Sequence, residues 1–176
     1  MLNRIALSSL MLVAVVATSS LTFAANGLWT NPEDDSLPAD FHVQGEYVGE
    51  VKGGEKLGVQ VIGLGGDALQ AVVYPGGLPG AGWDGEAKYL MQGKVDGGSA
   101  TFEPAKGNRK YLANGADQFS AIDKFSESDN QPYSATVKDG VMAGKAPDGK
   151  SFELKKTVRK SPTLGAKPPE DAVVLY

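Results

Sequence analysis

The residue types nearest to a binding chemistry lie in one run: Tyr74-Pro75-Gly76-Gly77-Leu78-Pro79-Gly80-Ala81-Gly82-Trp83-Asp84-Gly85. Proline fixes φ and glycine permits positive φ, so a loop of this composition has a defined shape. Loops of defined shape on a rigid scaffold are where binding usually sits. Trp83 offers a flat apolar face, Asp84 an acceptor, and the backbone amides further donors. Tyr74 and Tyr89 bracket the loop. An apolar face for C–H groups beside acceptors for hydroxyls is what a polyol needs, so Trp83, Asp84, Tyr74 and Tyr89 form the candidate ligand-binding set. The competing account folds Trp83 inward as an apolar plug and has Asp84 close an Asx-turn.

Other chemistries are less well served. Gly80 to Gly85 satisfies G-x-G-x-x-G, but a dinucleotide site needs a helix to begin at its end. Here Lys88-Tyr89-Leu90-Met91-Gln92 alternates like a strand. His42 is the only histidine, and neither a G-x-S-x-G elbow nor a neighbouring His/Asp cluster accompanies it. It reads as a structural or solvated residue, and no metal and no cofactor are expected. Glu46 and Glu50 share one strand face with carboxylates about 7 Å apart. Two-carboxylate glycoside chemistry could use that spacing; the simpler account is a solvated face. No catalytic residue is assigned. Lys155, Lys156, Arg159 and Lys160 read as a solvated basic patch.

The elements that must position these residues are strands. Val43, Gly45, Tyr47, Gly49 and Val51 alternate with mostly polar partners, the signature of a half-buried strand. Leu57, Val59, Val61 and Gly63 repeat the pattern, and residues 69–74 continue it up to the glycine loop. Residues 87–95 and 100–103 follow, separated by Asp96-Gly97-Gly98. Residues 133–137, 141–144 and 152–156 form a late three-strand meander turning at Asp139-Gly140 and Pro147-Asp148-Gly149. Asp-Gly and Gly-Gly between alternating segments are hairpin signals. Between Pro104 and Pro132 the period-two pattern fails, and Ser120–Ser126 reads equally as a short helix capped by Ser120 or as an ordered loop.

About eight short strands without a long amphipathic helix predict an all-β fold: a single antiparallel domain over 41–158, barrel-like or sandwich, since an open sheet would leave costly edges. Residues 25–40, with Asn31-Pro32-Glu33-Asp34-Asp35, read as a flexible acidic lead-in. Residues 159–176 read as a basic, proline-rich linker or tail.

Residues 1–24 carry a short basic start, an apolar stretch and small residues before Ala24, the pattern of a cleaved signal peptide. The apolar stretch is shorter than the roughly 20 residues of a spanning helix. Export is expected, to a periplasmic or extracellular location, with no membrane association after cleavage. Cleavage removes Arg4, taking the net charge from −4 to about −5. A mildly acidic chain gives no electrostatic case for nucleic acid. The absence of cysteine excludes disulfides, zinc–thiolate sites and thiol nucleophiles. About 150 residues bury a core without staples.

The stretches Phe41–Glu50 and Lys56–Ile62, the glycine loop 74–85 and the tail Arg159–Pro169 resemble the N-terminal region of secreted bacterial proteins of the 3-keto-disaccharide hydrolase domain family. In those proteins a leading β-module and a linker precede a concanavalin-like β-sandwich. The resemblance covers most of residues 41–176. The hydrolase-type sandwich is absent from this sequence, so none of its residues transfers. The resemblance implies a non-catalytic exported accessory module, associated with carbohydrate-active chemistry, that binds a glycan or a partner such as a downstream β-sandwich domain. The alternatives are glycoside hydrolase activity of its own, through Glu46, Glu50 or Asp84, and a purely structural envelope protein.

Overall fold

The computed structural model describes residues 30–34, 36–161 and 164–171. The expected signal peptide, part of the lead-in and the apolar end 172–176 lie outside the described residues. Residues up to Asp34 form a unit apart from 35–176; in it the Asn31 carbonyl and side chain accept from Asp34 N and Glu33 N.

The second unit is all-β. Its elements are α1 (Ala39–Val43), β1 (Gly45–Val51), β2 (Glu55–Gly65), β3 (Ala68–Pro75), β4 (Tyr89–Asp96), β5 (Ser99–Pro104), β6 (Lys110–Tyr111), β7 (Phe119–Ser120), β8 (Ser134–Lys138), β9 (Val141–Lys145) and β10 (Ser151–Thr157). Eight strands close a barrel in the order β1-β10-β9-β8-β5-β4-β3-β2, and every pairing is antiparallel. Closure resolves the expectation of barrel or sandwich in favour of the barrel and leaves none of its eight strands with an unpaired edge. The short β6 and β7 pair in parallel outside it.

Period two sets what lies inside. Tyr47, Val51, Val59, Val61, Leu69, Ala71, Val73, Met91, Phe102, Val137, Met142, Phe152 and Leu154 fill the interior. A barrel of eight strands is just wide enough for side chains to fill it, so this is a packed core. Glycines at inward positions give the rings room: a Cβ on Gly93 would stand 2.5 Å from the Phe102 ring, and one on Gly144 2.5 Å from Phe152 Cζ. Tyr47 donates to Val43 O (2.6 Å), tying the end of α1 to β1. Its burial pushes the phenol up to about 12.

The short helix stands at Ala39–Val43, not at Ser120–Ser126. Ser120 ends β7, and residues 121–126 take the ordered-loop form instead. The Ser120 hydroxyl, which would have capped a helix, donates to Ile122 O and accepts from Ile122 N, closing a local turn. Ile122 and Phe125 pack on the outside of the barrel, as their spacing suggested, but from that loop.

Gly93→Ala would drive its methyl into Phe102 and to 2.9 Å from Thr101 O, a backbone atom that cannot rotate away. Urea unfolding is expected to show a loss of about 1–3 kcal/mol; an unchanged midpoint would contradict the packed interior.

Candidate functional site

Antiparallel order sorts the connections. Tight turns at Gly66-Asp67, Gly97-Gly98 and Asp139-Gly140, together with α1, occupy one end of the barrel. The glycine loop, the long 105–133 connection and the turns at 52–54 and 146–150 gather at the other. The candidate site lies at this loop end.

The glycine loop folds back over the outer face of β2. Gly76 N donates to Lys56 O (2.8 Å), and Leu78 O accepts from Ala81 N and Trp83 N. Leu78 is fully buried, and it lies over Gly58, where a Cβ would stand 2.6 Å from Leu78 N. Burying a leucine is worth about 1.5–3 kcal/mol. Gly77, at φ 132°, leaves no room for a side chain: a Cβ there would stand 2.4 Å from Ala81 O. With Val72, Tyr74, Leu90, Ala105 and Ile122, Leu78 forms a second apolar cluster outside the barrel, and Trp83 packs at its margin.

A chain of polar contacts locks the loop. The Trp83 indole meets the Tyr74 ring edge-on, with centroids 5.1 Å apart. Tyr74 donates to Gln60 Oε1 (2.8 Å), and Gln60 Nε2 donates to Glu46 Oε1 (2.9 Å). Arg159 grips both Glu46 oxygens, through Nε (2.6 Å) and Nη2 (2.5 Å), and its Nη1 reaches Pro79 O (2.8 Å). The contacts run from the loop across β3, β2 and β1 and return to the loop.

The four candidate ligand residues do not share one face. Tyr74 and Trp83 lie outside the barrel; Tyr89 turns inward and stacks on Tyr133, with centroids 5.7 Å apart. Tyr74 is buried, with its hydroxyl engaged. Trp83 is half-buried, and its Nε1 donates to Ala87 O (2.8 Å). Asp84 is exposed, and its Oδ1 accepts from Glu86 N (2.9 Å), the Asx-turn geometry. What faces solvent is the 80–86 crest with part of the Trp83 ring.

Glu46 and Glu50 do share the outer face of β1. Glu50 is exposed, with Lys56 and Glu153 opposite it on the neighbouring strands. Glu46 is held below its ordinary value of 4.5, first by the Arg159 hydrogen bonds and then by Gln60, against the opposing pull of burial. A general acid needs the opposite shift. His42 is exposed, with its carbonyl accepting from Lys156 Nζ. Among the described residues no group of His, Cys, Asp and Glu could hold a metal ion, and no helix is long and apolar enough to cross a membrane.

Sequence reasoning missed the residues that dock the 105–133 connection. Gln70, buried on β3, donates to Phe119 O and accepts from Ala121 N. Asn130 accepts from Leu90 N and donates to Leu90 O and Ala105 O, standing in for a strand partner. Arg109 donates to Lys106 O, Ala116 O, Phe119 O and Gln92 Oε1. Gln70 left the one legible signal: an amide inside the apolar run Leu69–Tyr74.

The fold is thus an up-and-down barrel of eight strands with a locked loop at one end. Comparison with known protein families, with curated proteins and with solved structures finds no match to the chain.

Because Glu46 titrates lower in the fold than in the unfolded chain, its contribution to stability is present at neutral pH. It is lost as pH falls through the folded value. Glu46→Gln should therefore lower the melting temperature near pH 7, with the gap to the parent closing below about pH 4. A gap that persists unchanged in acid would contradict the ion-pair role.

Proposed function

We propose that the chain is a non-catalytic, exported accessory module that works beside carbohydrate-active domains and binds a glycan through the loop end of its barrel. The observation that carries this reading is the lock on the glycine loop. A loop whose backbone is fixed by Leu78 burial and by Arg159 loses little conformational entropy when a ligand docks on it. The exposed part of Trp83 supplies an apolar surface, and the second Asp84 oxygen an acceptor. The choice of carbohydrate rests on the resemblance to the 3-keto-disaccharide hydrolase domain family. The Glu46 ion pair supports the non-catalytic part, since a carboxylate held ionised by Arg159 is a poor proton donor.

Docking of a partner domain has an observation of its own. Arg159 belongs to the segment after β10 and bonds directly to the loop, so the chain leaving the barrel and the glycine loop share a surface.

Affinity electrophoresis through gels containing dextran, xylan or hydroxyethylcellulose tests the glycan reading. Retention is expected in at least one gel, and Trp83→Ala should abolish it while leaving the circular dichroism spectrum unchanged. Absence of retention in a wider glycan panel, or reducing-sugar release that Glu46→Gln or Glu50→Gln abolishes, would overturn it.

A further inference from the structure

A groove on the flank of the barrel, away from the glycine loop, has the features of a small-molecule site. Open to solvent, it has a volume of about 430 Å³ between the outer faces of β4 and β5 and the 109–117 part of the long connection. That lies within the range of ligand sites, about 300–1,000 Å³, and gives room for roughly one or two sugar rings.

Strand register builds its floor. Gln92 pairs with Glu103 and Lys94 with Thr101, so four outward polar side chains form a square. Arg109 and Asp117 wall one side, and Ala68 and Ala116 add small apolar contacts. The groove is also ordered from beneath. Gln92 Oε1 accepts from Arg109 Nη2 (2.6 Å) and Lys106 N (3.3 Å), which fixes its amide; its Nε2 then donates to Glu103 Oε1 (2.7 Å). Arg109 spends four of its five N–H groups on Lys106, Ala116, Phe119 and Gln92, so its guanidinium is held in one plane.

The unspent groups point to the ligand class. Among the described residues, Glu103 Oε2, the Thr101 hydroxyl, the Lys94 ammonium, the Asp117 carboxylate and one Arg109 N–H take no protein hydrogen bond. These are acceptors and donors in near balance. Two cations and two carboxylates make the groove neutral overall, so an ion of either sign would meet repulsion along with attraction. A neutral ligand that both donates and accepts at many points can use all of them. We propose that this groove binds a neutral polyhydroxylated molecule of up to disaccharide size. The site is independent of the glycine loop, and the proposal does not require Trp83 to touch a glycan.

The test is a ¹⁵N–¹H titration of the whole protein with sucrose, trehalose and maltose, with glycine betaine and glutamate as zwitterionic and anionic probes. At least one sugar should give saturable shifts confined to residues 92–94, 101–103 and 109–117. Asp117→Asn and Thr101→Val, both exposed positions, should each raise its Kd about tenfold without changing the melting temperature. Trp83→Ala should leave it unchanged, so loss of polysaccharide retention and loss of the groove are read separately. Shifts with betaine or glutamate alone, sugar shifts centred on 76–86, no sugar shifts, or a Kd indifferent to both groove variants would overturn the proposal.

Discussion

The first strand of the barrel pairs with the last. β1 runs antiparallel to β10 from Glu46↔Thr157 to Val51↔Phe152, while its other edge pairs with β2. Without that seam the strands would form an open sheet with two unpaired edges and an unfinished interior. With it, Tyr47, Phe152 and Leu154 enclose one core with Val59, Met91 and Phe102. Tight curvature brings backbones close at inward glycines: a Cβ on Gly49 would run into Glu153 O across the seam.

The seam also anchors the folded-back glycine loop. The Glu46↔Thr157 register places Arg159 two residues beyond the pair, where its guanidinium reaches Glu46 and Pro79 O. Gln60 lies opposite Glu46 on the other side and passes the contact to Tyr74. The partly exposed ion pair by itself contributes only modestly to stability. Its significance is geometric: it fixes the path of the chain after β10 against a loop already seated by Leu78 over Gly58. The flank under the 105–133 connection is organised by amides and one guanidinium. Gln70 and Arg109 satisfy backbone groups that the irregular 105–133 connection cannot pair with itself, and Asn130, from within that connection, bonds the backbone of Leu90 on β4.

The strands were legible because the barrel buries only their inner face over most of its circumference, leaving period-two alternation in Tyr47–Val51 and Phe152–Leu154. Short turns were legible because Asp67 and Asp139 adopt positive φ beside glycines, and few other residues do so readily. The long connection was not, because its order comes from side chains on distant strands rather than from local periodicity. Ser120 could cap a helix or close a turn, and tertiary docking by Gln70 decided for the turn. Arg159 read as part of a solvated linker, since nothing local to Arg159-Lys160-Ser161 names Glu46 as a partner. Tyr74 and Tyr89 flank one loop in sequence, yet the parity of β3 and β4 sends them to opposite sides of the wall.

Amide hydrogen exchange across the seam tests barrel closure most directly. The account predicts that the amides paired across the seam, those of Val48 and Glu50 on β1 and of Lys155 and Glu153 on β10, exchange as slowly as those of the central β3–β4 pair. Exchange at β10 as fast as at an exposed edge, with β3–β4 still protected, would show an open sheet and contradict the account.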